Sequence, residues 1–142
     1  MLFKNGTREP IHGHNYRVQI KGHSLELDDD MVFNFLDIKP IVRDICNDLD
    51  HKLILPKNNS NLRIEETSKN YKVFTLDESE FSFPKSDILL LPIENTSVER
   101  IAHYLALRIS DVVKEKFNFE FKELEVEVEE SPGQSAVCLL KK

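Results

Sequence analysis

The sequence is poor in cysteine, has no excess of basic residues and contains no long apolar run. Its 142 residues include only two cysteines, Cys46 and Cys138, which are too few for a disulfide framework and indicate a reducing compartment. The 19 basic residues are outnumbered by 25 acidic ones, and the net charge of -6 argues against nucleic acid or an anionic membrane as a partner. No apolar segment approaches the roughly 18 residues of a membrane span, and the first residues lack the apolar region of a secretory signal. We therefore expect a cytoplasmic protein.

What is present is an ordinary globular composition. Hydrophobic residues make up 40% of the chain and charged residues 31%, which is typical of a folded chain rather than a disordered one. A length of 142 residues fits one modest core, so residues 1–142 are predicted to form a single domain.

The first half of the chain is predicted to contain two strands and a helix. Apolar and polar residues alternate over residues 12–21, which is the period of a strand with one buried face. A second apolar stretch at residues 31–35 predicts another strand. Pro40 suits the first turn of a helix, and apolar residues then recur at helical spacing up to Leu49. Cys46 lies on that apolar stripe and is interpreted as a small core residue rather than a nucleophile.

The second half is predicted to contain a small β excursion at about residues 57–95, then a helix and a final strand. Short strands within the excursion are predicted at residues 62–66, 71–76 and 88–91. Thr96, followed three residues later by Glu99, fits a capping box at the start of the second helix. Residues 124–130 alternate again and predict the last strand. This order indicates an α+β fold with two helices on one face of an antiparallel sheet.

Two histidines at the start of the first predicted strand are candidate metal ligands. His12 and His14 are two residues apart, so on a strand they project to the same face, and imidazole nitrogens bind zinc well. Two ligands do not complete a zinc site, because a catalytic site usually takes three from the protein. The alternative is a pair of polar residues at the frayed start of a strand, and the spacing alone leaves both interpretations open.

Two further places depart from simple packing. Asp50 and His51 follow the first helix and can form an acid–base unit, although the helix dipole alone also favours a histidine there. Glu130 shares the parity of the apolar residues in the last strand, and a carboxylate in such a row needs a partner or a ligand. The alternative for Glu130 is a break in the strand register beside the turn that begins at Ser131.

In their order along the chain, these segments resemble the 6-pyruvoyl tetrahydropterin synthase family, which also contains the 6-carboxytetrahydropterin synthases of deazapurine biosynthesis. The matching stretches are HGHNYRV at 12–18, MVFNFLDIK at 31–39, LDH at 49–51, NTSVE at 95–99 and VEVEES at 126–131. They extend over nearly the whole chain. The combination of HGHNY, LDH and a terminal VxVxE is specific to the family.

The resemblance implies a T-fold, which is a four-stranded antiparallel sheet with two helices, assembled into a homo-oligomer that is a trimer or a hexamer. It implies active sites between subunits that bind a small pterin substrate, each with a zinc ion (Zn2+) held by three histidines. His12 and His14 match two of these histidines. The third belongs to a strand that would precede Met1, so we expect the chain to start late and to lack the N-terminal strand.

The resemblance also implies roles for five other residues. Asp50 and His51 match the catalytic Asp–His pair of the family. Glu130 matches the carboxylate that anchors the amino-pyrimidine edge of the pterin. Thr96 and Ser97 fall where the family has pterin-contacting residues at the start of a helix.

The usual catalytic cysteine of the family has no counterpart in residues 1–11. Glu9 stands shortly before His12, and this spacing resembles the type-III variant of the family, in which glutamate replaces cysteine. Those enzymes cleave the side chain of 7,8-dihydroneopterin triphosphate to give 6-hydroxymethyl-7,8-dihydropterin for folate-type synthesis. The resemblance therefore implies a zinc-dependent lyase in which Glu9 is catalytic.

Three alternatives stay open at this point. The first alternative is a 6-pyruvoyl- or 6-carboxy-tetrahydropterin synthase that works without the cysteine. The second is a non-catalytic T-fold module that binds a pterin or purine-like ring. Glu9 itself is alternatively a solvated loop carboxylate. A triphosphate substrate requires positive charge, and Arg8, Arg17 and Lys52 are candidates by their proximity in the sequence.

Overall fold

The computed structural model describes residues 1–142, which form eight strands and two helices. In chain order these are β1 (Arg17–His23), α1 (Phe35–Leu49), β2 (Leu53–Pro56), β3 (Leu62–Glu66), β4 (Asn70–Thr75), β5 (Glu80–Pro84), β6 (Ile88–Leu91), α2 (Val98–Phe117), β7 (Glu123–Ser131) and β8 (Gln134–Lys141). Neither helix is both long and apolar enough to cross a membrane.

The main sheet is antiparallel and has the order β1-β7-β8. The alternation in β7 buries Leu124, Val126 and Val128, which are at most 2% exposed, while the glutamates between them stay partly exposed. These three residues share one core with buried side chains of both helices, and α2 packs directly on β7 and β8. The α+β class with two helices is thus confirmed.

The expected four-stranded arrangement differs from the observed main sheet, which has three strands. One of these, β8, is not among the predicted strands. It follows a tight hairpin in which Gly133 has a φ of 79°, a conformation that glycine adopts without strain. Apolar side chains on both faces of β8 include the exposed Val137 and Leu139, so the strand lacks the alternation that marks β7.

The first helix begins earlier than predicted, at Phe35. Asn34 is its N-cap, and the Asn34 side-chain oxygen accepts a hydrogen bond of 2.8 Å from the backbone N–H of Leu36. Pro40 therefore lies within the helix rather than in its first turn. The cap outweighs the proline as the start signal because it satisfies a backbone donor that would otherwise be unpaired.

The predicted strand at residues 31–35 does not form. Asp29 and Asp30 adopt left-handed φ values of 50° and 60°, so the chain turns before this segment. Phe33 then packs against the core, with its ring centroid 5.7 Å from that of Phe121. The partly buried apolar residues of this segment pack against the core just before α1 begins.

The predicted capping box of the second helix is wrong. Ser97 rather than Thr96 is the N-cap of α2, and no side chain makes a capping hydrogen bond. The helix starts one residue later than the box requires, which places Arg100 instead of Glu99 at the third helical position. Glu99 still stands in the first turn, where its charge suits the helix dipole.

The β excursion is larger than predicted. Three of its strands correspond to the predictions, and β2 and β5 are additional. β2 and β6 pair in parallel, whereas β3, β4 and β5 form an antiparallel sheet with β4 in the centre. A second, smaller core formed by Leu55, Val73 and Ile88 joins the two sheets.

Candidate active site

An open cleft of about 1220 Å3 lies where the start of β1, the end of α1 and the start of α2 meet. It is lined by all eight residues that the sequence analysis singles out as site residues: Glu9, His12, His14, Asp50, His51, Thr96, Ser97 and Glu130. Segments that are far apart in the sequence thus meet at one concave surface, which is the usual shape of a small-molecule site.

His12 and His14 lie before β1, which begins at Arg17, where its ladder with β7 ends at Glu129, so the prediction of a strand from residue 12 is wrong at its start. The two imidazole rings nevertheless lie together, with their centroids 4.7 Å apart. Nδ1 of His12 is 2.7 Å from the carbonyl oxygen of Pro10. Because a carbonyl only accepts hydrogen bonds, Nδ1 is the donor in this contact, and in the neutral ring Nε2 then holds the lone pair that a metal ligand needs.

Glu130 ends the apolar row of β7 and faces the cleft. Its Oε2 lies 3.9 Å from Nε2 of His14, and its side chain is 30% exposed. The register between β7 and β8 shifts between Glu129 and Ser131, so the break considered for this position is real. The Glu130 carboxylate thus lies beside His14 at the place where the register shifts.

Asp50 and His51 follow α1 directly, as predicted, with Asp50 as the C-cap. Oδ2 of Asp50 lies 2.9 Å from Nδ1 of His51, so the carboxylate orients the ring and leaves Nε2 unpaired. His51 has a left-handed φ of 56°, which turns the chain from the helix into β2. The two side chains are 67% and 92% exposed, so the pair projects from the edge of the cleft into solvent.

Thr96 and Ser97 line the cleft at the N-terminus of α2. Neither hydroxyl is used as a helix cap, which leaves both able to contact a bound molecule. The neighbouring Asn95 is occupied, since its side chain accepts a 3.1 Å hydrogen bond from the Leu2 N–H and donates one of 2.7 Å to the Leu2 carbonyl. Asn95 therefore ties the first residues of the chain to the start of α2.

Glu9 belongs to the loop before the histidines and lines the same cleft. Its side chain is 39% exposed, and its Oε2 lies 3.1 Å from the Met1 ammonium. Its backbone N–H donates a 3.0 Å hydrogen bond to the Met1 carbonyl. The carboxylate thus pairs with the chain's own ammonium group, while its 39% exposure leaves it accessible from the cleft.

Tyr16 is a further cleft residue and is not among the site residues predicted from the sequence. Its ring centroid lies 5.6 Å from that of His14. Burial, together with the negative charges of Glu130 and Glu9, raises the pKa of the Tyr16 phenol above its ordinary value. The phenol stays protonated at neutral pH and can donate a hydrogen bond. The signal is present in the sequence, because Tyr16 shares the parity of the two histidines.

The three candidate triphosphate ligands have different surroundings. Arg8 is engaged within the protein, with its Nε 3.2 Å from Oδ2 of Asp77, and is a poor candidate for a phosphate. Lys52 donates a hydrogen bond to the carbonyl of Ser86. Arg17 lines the cleft and makes no ion pair, so it is the least engaged of the three candidates.

The cleft does not bring together a full set of metal ligands from this chain. No three His, Cys, Asp or Glu side chains cluster closely enough to hold a metal ion. The two histidines alone are fewer than the three protein ligands that a catalytic zinc site usually takes. Cys46 also lines the cleft, but burial raises the pKa of its thiol, so it is a protonated packing residue as interpreted from the sequence.

Comparisons with known proteins give a consistent result. A family model described as 6-pyruvoyl tetrahydropterin synthase matches residues 2–140. A Methanocaldococcus jannaschii protein with the provisional name 6-carboxy-5,6,7,8-tetrahydropterin synthase is 39% identical over 137 residues, covering 96% of this chain and 83% of that protein. The crystal structure of 6-pyruvoyl tetrahydropterin synthase from Plasmodium vivax superposes with a TM-score of 0.90 at 35% identity, covering 99% of this chain and 88% of that one. A variant of the Plasmodium vivax enzyme in which a catalytic glutamate is replaced by alanine superposes with a TM-score of 0.89 at 36% identity, covering 99% and 86% of the two chains.

Proposed function

This chain belongs to the 6-pyruvoyl tetrahydropterin synthase family, whose members are lyases of pterin biosynthesis, and we propose that it cleaves the side chain of 7,8-dihydroneopterin triphosphate to 6-hydroxymethyl-7,8-dihydropterin. The observation that carries this proposal is the accessible carboxylate of Glu9 in the same cleft as the histidine pair. The Plasmodium vivax relative has a catalytic glutamate, which supports the same use of Glu9 here. The only cysteine that lines this cleft, Cys46, is held as a protonated thiol by burial.

Cleavage requires a base at the hydroxyl of the second side-chain carbon, and Glu9 is proposed to take that proton. The O–H electron pair forms the aldehyde C=O while the bond between the first and second side-chain carbons breaks. The bonding pair remains on the first carbon, conjugated with the dihydropterin ring. A proton returned to that carbon completes the product, and the phosphorylated two-carbon aldehyde leaves without any oxidant or reductant. A base of this kind contributes roughly 10²–10⁴-fold to the rate.

The other cleft residues are proposed to return the proton and hold the ring. The Asp50–His51 pair supplies the proton to the pterin fragment, since the carboxylate orients the imidazole and leaves its Nε2 free. Glu130 binds the amino-pyrimidine edge, whose N–H groups match the two oxygens of a carboxylate. Thr96 and Ser97 add hydroxyls at the start of α2.

We also propose that His12 and His14 bind Zn2+ together with a ligand from outside this pair. When bound, the ion supplies a Lewis acid that lowers the pKa of the substrate hydroxyls. The hydrogen bond from Nδ1 of His12 to the Pro10 carbonyl fits this use, because it fixes the ring and its tautomer.

The active assembly is proposed to be a homo-oligomer, a trimer or a hexamer, with sites between subunits. β1 and β8 are the two edges of the main sheet, and an unpaired edge is a template for pairing with another chain. β8 also exposes 53% of Val137 and 43% of Leu139. His51, which is 92% exposed, gains shelter from water if a second copy covers this side of the cleft.

Replacement of Glu9 tests the proposed reaction. Glu9→Gln keeps the shape and removes the base, so turnover of 7,8-dihydroneopterin triphosphate is expected to fall at least roughly hundredfold while pterin binding is retained. Glu115→Gln is the matched control, because Glu115 is an exposed carboxylate of α2 that does not line the cleft. Unchanged turnover in the Glu9 variant would remove Glu9 from the mechanism.

A second candidate function is 6-carboxytetrahydropterin synthesis, which the provisional name of the archaeal relative favours at 39% identity. Mass spectrometry of the products separates the candidates, because 6-hydroxymethyl, 6-pyruvoyl and 6-carboxy pterins differ in mass. Pterin binding without any product would identify a non-catalytic T-fold module instead.

A further inference from the structure

The loop before the histidines, residues 1–9, packs on the tip of the hairpin formed by β4 and β5. The loop folds back on itself, with a bridge between Leu2 and Arg8 and a buried Gly6 at a left-handed φ of 87°. Gly6 lies directly against the hairpin, since an added Cβ would stand 3.0 Å from Cδ1 of Leu76. None of the proposed catalytic residues is on this hairpin.

Arg8 is the main polar link between the loop and the hairpin. Its Nε lies 3.2 Å from Oδ2 of Asp77, and its Nη2 donates a 3.0 Å hydrogen bond to Oγ of Ser79. Its guanidinium carbon is 4.9 Å from the ring centroid of Phe81, within reach of a cation–π contact. Its Nη1 also donates a 3.3 Å hydrogen bond to the backbone carbonyl of Glu9. One side chain thus contacts both the hairpin and the backbone that carries Glu9.

The hairpin turn prepares Asp77 for this contact. Oδ1 of Asp77 accepts hydrogen bonds from Oγ1 of Thr75 and from the N–H of Ser79, the latter at 3.2 Å, so only Oδ2 remains for the arginine. Glu78 completes the turn with a left-handed φ of 62°. The hydrogen bond from Thr75, with smaller contributions from Ser79 and Arg8, holds the pKa of Asp77 below its ordinary value. The turn therefore presents a fixed negative charge toward the loop.

We propose that Arg8 is a positioning residue that holds the Glu9 loop against the β4–β5 hairpin, so that the Glu9 carboxylate stays in reach of the substrate. This role rests on the proposed function of Glu9. Orientation is a large part of catalysis, and a misplacement of about 1 Å can cost roughly hundredfold in rate. The hairpin then acts on the reaction through Arg8 without touching the substrate.

The test compares kcat, KM and amide hydrogen exchange in variants of the full chain. Arg8→Ala removes the link, and Asp77→Asn removes only the charge that Arg8 faces while keeping an acceptor oxygen for the turn. Arg63→Ala is the matched control, because Arg63 also stacks on a phenylalanine of the same sheet, 3.8 Å from the Phe74 centroid, but does not line the cleft.

Arg8→Ala is expected to lower kcat roughly tenfold to hundredfold with KM changed less than about twofold, and to speed exchange at residues 6–9. Asp77→Asn should show a smaller decrease of the same kind, and Arg63→Ala none. In the Glu9→Gln background, Arg8→Ala should cause no further loss, because the group that it positions is already absent. A loss of equal size in both backgrounds, or unchanged kcat and exchange in Arg8→Ala, would overturn the proposal.

Failure of the proposed function gives a different pattern. If the wild-type chain turns over no dihydropterin, hydrogen exchange still decides whether Arg8 orders the loop. Faster exchange at residues 6–9 in Arg8→Ala would then support the anchoring role, and unchanged exchange would refute it.

Discussion

One side of the cleft is held in place by the chain itself, and the other side is not. The inner wall consists of Glu9, His12, His14, Tyr16 and Glu130. Its members contact the backbone or one another, as in the hydrogen bond of His12 to Pro10 and the 3.9 Å approach of Glu130 to His14. The rim consists of Asp50 and His51, which contact each other and are otherwise mostly exposed.

This difference indicates which groups of the site are preorganised within one subunit. Preorganised groups need no rearrangement as charge develops, so metal and pterin binding are expected to reside in the inner wall. An exposed charge pair interacts weakly in the high dielectric constant of water. The Asp50–His51 pair is therefore expected to contribute to the rate only when a second subunit covers it.

Loss of a histidine from the inner wall should have the largest effect. His12→Ala or His14→Ala removes a proposed zinc ligand, and turnover is expected to fall by about 10³-fold together with the zinc content. His103→Ala is the control, since His103 is exposed on α2 and outside the cleft. Elemental analysis and turnover are measured together, and unchanged zinc in both cleft variants would contradict the assignment.

Changes at the rim should cost less and should depend on assembly. Asp50→Asn or His51→Ala is expected to lower turnover by about 10²-fold without changing zinc content, because proton return is impaired while the inner wall is intact.

Wild-type activity per subunit should also fall on dilution, in step with dissociation followed by light scattering. Full activity in a demonstrated monomer would remove the distinction between wall and rim.

Tyr16→Phe should have a smaller effect within the inner wall. It removes one neutral hydrogen-bond donor, which is worth about fivefold in turnover. Because the pKa of the Tyr16 phenol is raised, the phenol stays protonated up to about pH 9, and the ratio of wild-type to variant rates should be constant from about pH 6 to about pH 9. A ratio that changes steeply in this range would contradict a protonated donor.

The smallest effect is expected from a substitution at Glu120, which lies outside the cleft. Hydrogen bonds from Lys114 and Lys142 lower the pKa of Glu120 to about 2. Since this folded-state pKa is below the unfolded value, the contribution to stability is present above about pH 4.5 and is lost as the pH falls toward about 2. Glu120→Gln should lower Tm by about a degree or two at neutral pH, the difference should vanish in acid, and turnover should not change. A Tm difference that persists in acid would refute the ion-pair origin.

The parts of the fold that follow from local periodicity could be predicted from the sequence. The alternation through Val126 and Val128 predicts β7 and its buried face, and the apolar stripe of α2 predicts the second helix. Glu130 could be singled out because a carboxylate in an apolar row needs a physical reason. In each case the information lies within one element.

The remaining features depend on contacts between elements, which one segment of sequence does not contain. The β8 strand is held by its hairpin with β7, and its exposed Val137 and Leu139 hide the alternation. The cap at Asn34 overrides the start signal of Pro40. From the sequence alone, Arg8 is a candidate phosphate ligand. The structure shows that the β4–β5 hairpin places Asp77 beside it.

The parallel pairing of β2 and β6 has a consequence for how this fold can vary. Residues 57–87 follow β2 and precede β6, so they form an inserted segment whose two ends are held together by the pairing of these strands. The helices and the main sheet lie outside this segment, so we expect insertions or deletions within it to leave them in place. Because the tip of this segment contacts Arg8, we expect changes of length or sequence at the tip to alter how the loop that carries Glu9 is held.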